Sequence, residues 1–322
     1  MNMQRNIKIE HILDTMSRIV LFIIVLVALD RTLGMVLDSQ YQKIFSGPGR
    51  YNFIKANRYD CLVMGSSTST CYYEEILSEE LGKTVLNVGL DGSALIYSRC
   101  LLDLIIHYHV KPGIIIYNID LFEMSKSAWN GNYYSMIEQF RPFYGKSEYI
   151  DHALQKGKPF EFLKYALHTY KYNDLPLSII QKRIKGGTAY KRDRSPTDEM
   201  SLPIDQKTVD DKFSDELDLD ERKIMLYRDL IEVCKREDIK LVFVESPIYY
   251  PDRRMTQRDI ELECIIRNLA RESGVPFISI TQDTHPVFKD HKLFKDVLHL
   301  NDGGSIVFSK IVSIEMRKKG II

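Results

Sequence analysis

The stretch Asp60-Cys61-Leu62-Val63-Met64-Gly65-Ser66-Ser67-Thr68-Ser69-Thr70 decides how the chain is read. It begins as an apolar run too short for most helices and breaks at a glycine followed by small hydroxyl residues. That pattern reads as a buried strand ending in a tight turn into a helix. A serine on such a turn sits at the carboxyl edge of a sheet, where open α/β sheets bind ligands. The helix that follows offers free N–H groups and the positive end of its dipole to an oxyanion. Ser66 or Ser67 is thereby a candidate nucleophile. The simpler alternative is that Gly-Ser-Ser only turns the chain and caps a helix.

The segments beyond this stretch alternate. A helix is predicted over Tyr73 to Leu81, ended by Gly82, then a strand over Thr84 to Val88 and a turn over Gly89 to Ser93. A helix through about His109 follows, and then Ile114-Ile115-Ile116-Tyr117, whose lack of polar alternation suits a central parallel strand. Residues 125 to about 215 interrupt the pattern and read as a helical insertion, with Trp129, Tyr133, Tyr134, Phe140, Phe143 and Tyr144 close together. It carries a basic stretch, Lys182 to Arg194, which reads as solvated loop in preference to a contact for phosphate or an anionic lipid head, and an acidic one, Asp210 to Glu221, which lacks the glycine and spacing of a calcium loop. Alternation resumes with a helix from about Leu219 to Arg236, a strand over Lys240 to Val244 and a helix over Thr256 to Ser273. A fifth strand over Pro276 to Ile280 and a last helix capped by Asn301-Asp302-Gly303 complete the chain. Strands alternating with helices indicate a parallel five-stranded sheet covered on both faces.

The 322 residues allow a sizeable core, and 44 basic residues balance 44 acidic ones. No global charge draws the chain to nucleic acid. The five cysteines are scattered and form no C-x-x-C pair, which argues against a disulfide framework or a zinc site; Cys61 and Cys264 read as core. Ile19 to Leu29 is unbroken apolar sequence, short of the ~20 residues that span a bilayer, and is extended on both sides past Arg18 and Asp30. An uncleaved signal-anchor within residues 1–38 fits it best, with residues 38–58 as a stem. Arg5, Lys8 and Arg18 ahead of the run place the amino terminus in the cytoplasm and residues 39–322 outside it.

Phe294-Lys295-Asp296-Val297-Leu298-His299-Leu300-Asn301 is the second informative stretch. Asp296 and His299 stand three apart just before the last helix, and a helical turn would put them on one side. A carboxylate holding one imidazole nitrogen leaves the other free to serve as the base a serine nucleophile needs. His107 and His109, by contrast, face different ways at a helix end and read as surface or packing residues.

Gly65-Ser66-Ser67, Asn87-Val88-Gly89-Leu90-Asp91-Gly92 and Asp296-Val297-Leu298-His299 together resemble the motif blocks of SGNH/GDSL hydrolases. The first block has the Gly-Ser-Ser form of teichoic-acid D-alanylation proteins. The resemblance covers roughly residues 58–124 and 217–322 and implies a flavodoxin-like three-layer α/β/α sandwich. It implies Ser67 as nucleophile, His299 as base, Asp296 as its orienter, and the N–H groups of Ser67 and Gly92 as legs of an oxyanion hole. The family's third block, Gly-x-Asn-Asp, is replaced by Tyr117-Asn118-Ile119-Asp120. Either Asn118 supplies the third oxyanion donor, or Asp120 contacts substrate hydroxyls instead, or the site is weakened. The resemblance further implies ester hydrolysis or acyl transfer through an acyl-serine, without metal or cofactor. The substrate is then an O-acylated cell-surface polysaccharide, and a multi-spanning membrane acyltransferase is a candidate partner. The rival expectation is a membrane-tethered binding or assembly protein that keeps the fold without catalysis.

Overall fold

The structure is a computed structural model and describes residues 2–44, 46–124, 136–155, 161–172, 219–250, 255 and 257–322. The basic stretch Lys182 to Arg194, most of the acidic stretch, and Trp129, Tyr133 and Tyr134 lie outside the described residues. The chain divides into two compact units, Met1–Gly49 with Phe140–Tyr190, and Arg50–Gln139 with Lys191–Ile322.

The first unit is built on α1, Asn2–Ile44. The segment His11–Lys43 has an 18-residue window of mean hydropathy 2.4, long and apolar enough to cross a membrane. Its apolar side chains from Ile12 to Val36 are exposed. The helix runs on past Asp30, whose carboxylate has partners far along the chain. That carboxylate accepts hydrogen bonds from the backbone N–H groups of His168 and Thr169 at 2.8 and 3.0 Å and from the Thr169 hydroxyl. Further along, Asp38 pairs with Lys171 at 2.7 Å and accepts from the Tyr172 hydroxyl. α2 follows in chain order at Ser46–Asn57, and the insertion is helical where described, with α5 at Glu148–Gln155 and α6 at Glu161–Ala166. Tyr144 and Tyr165 stack there with centroids 4.4 Å apart. Most of residues 38–58, expected as a stem, is helical, in the end of α1 and in α2.

The second unit is the α/β fold. Its strands are β1 Cys61–Met64, β2 Val85–Asn87, β3 Ile114–Ile119, β4 Lys240–Glu245 and β5 Phe277–Ser279. All pair in parallel, in the order β2-β1-β3-β4-β5. This is the flavodoxin-like order, and it reverses between β1 and β3, the place where such sheets open a crevice at their carboxyl edge. Helices cover both faces, as the uninterrupted apolar strands require. On one face α3, Glu74–Leu81, and α9, Asp302–Lys318, bury Leu77, Leu81, Phe308, Val312 and Met316 against Val63, Ile116 and Val244. On the other lie α4, Leu95–His107, and α7, Glu221–Arg236. There the Tyr227 ring meets Tyr117 and Phe243 edge-on at 5.8 and 5.9 Å. The remaining helix, α8, is Gln257–Ser273, with Arg267 over the Phe277 ring. Sequence stops are where the local chemistry puts them: Gly82 ends α3 in the left-handed region, and the Asp220 and Asn301 side chains cap α7 and α9. Cys61 is core as expected, but Cys264 is exposed on α8.

Candidate active site

The turn after β1 is shaped by two close approaches. Gly65 has φ 144°, and a Cβ there would lie 2.9 Å from the Asn118 carbonyl oxygen. At Gly89 a Cβ would lie 1.8 Å from Ser69 Oγ, so the turn after β2 can seat against the turn after β1 only without a side chain. That contact is fastened by Leu90 N–H and Ser93 Oγ, which both donate to the Gly65 carbonyl at 3.2 Å. Gly92 lies in this second turn with φ 68°, a left-handed value that glycine adopts freely. The chain leaves Gly65 not directly into an α-helix, as expected, but through a 3-10 turn, Ser67–Cys71.

Ser66 is 2% exposed and donates to Asp120 Oδ2 at 3.2 Å, whereas Ser67 is partly exposed. Ser67 Oγ lies 2.9 Å from His299 Nε2, across 232 residues of sequence. The other ring nitrogen, Nδ1, lies 2.9 Å from both carboxylate oxygens of Asp296. Asp296 Oδ1 also accepts from the backbone N–H groups of Leu298 and His299 at 2.8 and 3.0 Å. Burial alone would raise the Asp296 carboxyl, but the His299 ring and these N–H groups outweigh it and hold the group down at about 2. An ionised carboxylate only accepts, so Nδ1 carries the imidazole proton and Nε2 is left to accept from the Ser67 hydroxyl. The hydrogen bonds to Asp296, against its desolvation, thus fix the tautomer that a serine nucleophile requires.

Asp296 and His299 do not share a helical turn, as the spacing had suggested. They sit in a bend closed at its base by an antiparallel bridge between Phe294 and Leu300, with Lys295 N–H donating to His299 O at 2.8 Å. The loop leads directly into the Asn301 cap of α9.

Asn118 is placed differently from the expectation. It is not a residue past the end of a strand but the fifth residue of β3, paired with Val244, and it is fully buried. Its amide nitrogen donates to Thr68 Oγ1 at 2.8 Å and to Ser246 Oγ at 3.2 Å, and its oxygen accepts from the Tyr72 hydroxyl at 2.8 Å. Both amide hydrogens are committed inside the protein, so Asn118 braces the turn beneath Ser67 and offers no free donor. The expectation of Asn118 as the third oxyanion donor is corrected on that ground. Asp120 follows β3 directly and lies at the sheet edge beside Ser66, 9% exposed.

Three supporting residues were given no role from the sequence. Thr68, Tyr72 and Ser246 hold Asn118, and of these only Ser246-Pro247, immediately after an apolar strand, carried a signal of its own. Glu123 was missed as well. It is 3% exposed, accepts from Leu95 N–H at the start of α4, and receives the hydroxyls of Tyr117 and Tyr227 at 3.4 and 3.3 Å. Burial, then the nearby charge of Asp120, raise its carboxyl to about 8. The folded protein therefore holds a proton there that the unfolded chain releases near pH 4.3, and stability falls as pH rises from about 4.5 to 8. Glu123→Gln should flatten that fall by roughly 1.4 kcal/mol per pH unit, read by chemical denaturation in detergent at pH 5 to 8. An unchanged slope would show that Glu123 is ionised throughout.

Among the described residues no cluster of three or more His, Cys, Asp or Glu could hold a metal ion. No protein-family model matches the chain, and no curated protein matches it.

Proposed function

We propose that this protein is an SGNH-like serine esterase or O-acyltransferase that works through an acyl-serine intermediate. The observation that carries the reading is the hydrogen-bonded series Ser67–His299–Asp296 at the carboxyl edge of the sheet. In the proposed reaction Ser67 Oγ attacks the ester carbonyl carbon as its proton passes to His299 Nε2. The oxyanion is met by the N–H groups of Ser67 and Gly92. The tetrahedral intermediate expels the alcohol, which takes the proton from Nε2, and the acyl group stays on Ser67. Water or an acceptor hydroxyl then gives its proton to Nε2 and attacks the acyl-serine, and the second tetrahedral intermediate expels Ser67 Oγ, which takes the proton back from Nε2 as the acid or the new ester is released. Asp296 steadies the imidazolium formed in each half. With Asn118 committed to the turn, two backbone donors carry the oxyanion, and Asp120 is assigned to substrate hydroxyls.

The substrate class we favour is an O-acylated cell-surface glycan, with the α/β unit outside the cytoplasm and a multi-spanning membrane acyltransferase as candidate partner. The basic residues ahead of the apolar segment support that sidedness. A membrane-impermeant, charged fluorophosphonate added to intact cells tests both halves of the proposal. Labelling of intact cells is the expected result. Labelling only after lysis would reverse the sidedness, and no labelling in either state would leave the non-catalytic tether.

A further inference from the structure

We infer that the turn after α6, residues 166–170, is a lipid-binding surface: Leu167 and Tyr170 enter the headgroup region of a bilayer at the level where the hydrocarbon around α1 ends. The inference rests on the membrane location proposed above and adds to it a second point of contact, far along the chain from the spanning helix.

The apolar sequence of α1 can fill a bilayer in two registers. Residues 12–29 include the ion pair of Asp14 with Arg18, and residues 19–36 include Asp30 and Arg31. Composition favours neither, and packing separates them. Residues 11–29 are exposed on every side of the helix. Beyond them, positions 30, 34, 37, 38 and 41, which share one helix face, are buried or half-buried.

The insertion covers that face. Arg31 donates to the Ala166 carbonyl at 3.4 Å, and Asp30 accepts from the N–H groups of His168 and Thr169. A Cβ at Gly34 would collide with His168, so the turn sits directly against the helix. Further from the bare stretch, Asp38 holds Lys171 and Tyr172, and the rings of Tyr41 and Tyr172 meet at 5.3 Å. Among the described residues, the turn at 166–170 is therefore the edge of this cover nearest to the bare helix.

The backbone of the turn decides the register. Ala166, Leu167 and Tyr170 are exposed there, and irregular backbone facing lipid does not occur inside the hydrocarbon. The hydrocarbon then ends near Leu29. Residues 11–29 are about 28 Å long at ~1.5 Å per residue, close to the ~30 Å of a bilayer core. At the far end of that stretch the long side chain of Arg18 can reach back to the opposite headgroups.

At the near end a leucine and a tyrosine stand out from the folded unit. Leu167 is 54% and Tyr170 50% exposed, and they flank the two residues that hold Asp30. An amphipathic tyrosine ring suits the boundary between acyl chains and headgroups, and the leucine suits its apolar side. Arg31, exposed on α1 beside them, supplies a cation for lipid phosphate. Continuity with the bare stretch selects lipid over a protein partner, because the bilayer that surrounds residues 11–29 reaches its headgroups at this level.

The test uses the full-length chain with Trp129→Phe, which removes its one tryptophan, in phosphatidylcholine vesicles. Leu167→Trp, Tyr170→Trp and, as a mid-span reference, Phe22→Trp are introduced singly, and circular dichroism confirms that each folds. Emission is compared in plain lipid and in lipid brominated either close to the headgroup or near the end of the acyl chain. Phe22→Trp should lose most emission to chain-end bromine. Leu167→Trp and Tyr170→Trp should both lose emission, and more of it to bromine close to the headgroup. Quenching at Phe22→Trp with none at a folded Leu167→Trp or Tyr170→Trp would overturn the lipid-binding surface alone. Stronger quenching of those two by chain-end bromine would overturn the register and favour residues 19–36. No quenching at Phe22→Trp would overturn the membrane location itself.

Discussion

Ser67→Ala is expected to abolish acyl-enzyme formation and to lower ester turnover by a factor on the order of 10⁶. The strand-to-helix turn aims only one of two adjacent hydroxyls at the imidazole: Ser67 Oγ meets His299 Nε2 at 2.9 Å, while Ser66 Oγ is turned inward to Asp120. Ser66→Ala removes one donor from a buried carboxylate and should lower stability by about 1 kcal/mol, with turnover reduced by roughly tenfold or less. Mass spectrometry of the intact protein after an activated acetyl ester distinguishes the two. An adduct that persists in Ser67→Ala and is lost in Ser66→Ala would reverse the assignment.

Asp296→Asn should lower kcat by about 10⁴ while leaving the fold in place. The asparagine oxygen can still accept from the N–H groups of Leu298 and His299, so the bend survives. What changes is the imidazole. Against the asparagine amide the favoured tautomer carries its proton on Nε2, which then has no lone pair for the Ser67 proton. Fluorophosphonate labelling should slow by a comparable factor, and circular dichroism should match the unmutated protein. Normal turnover in Asp296→Asn would show that another group orients His299.

Much of the fold could be read because parallel strands buried on both faces leave apolar runs that a glycine or a short polar turn ends abruptly. Cys61–Met64 followed by Gly65 is such a case, and the Asn301 cap another. Ser67, His299 and Asp296 were legible because each occupies a short motif at a strand or helix boundary. Asn118 was not. The apolar run of β3 stops at Tyr117, so the asparagine looked like a terminator; pairing with β4 carries the strand on to Ile119 opposite Glu245. A long-range ladder decided that boundary, and no local pattern reports it. The spacing of Asp296 and His299 was also ambiguous, since a bend closed by a bridge brings residues three apart together as well as a helical turn does. Glu123 and Glu245 look like ordinary surface glutamates in sequence. Only tertiary packing buries them, and with them goes the chemistry of their surroundings.

The carboxylate of Asp30 is answered by His168 and Thr169, 138 and 139 residues further along the chain. A ribosome adding ~5–20 residues per second needs roughly 7 to 28 s to make that intervening stretch. During this interval the nascent helix carries an acidic group whose partners do not yet exist, and if the helix enters a bilayer that group costs ~3 kcal/mol at its middle. Under the proposed membrane location, the depth at which the helix settles is then decided in two stages. The first is set by the apolar run as it inserts, the second by the arrival of residues 168 and 169. Chains halted before that point should rest at a shallower depth than the finished protein.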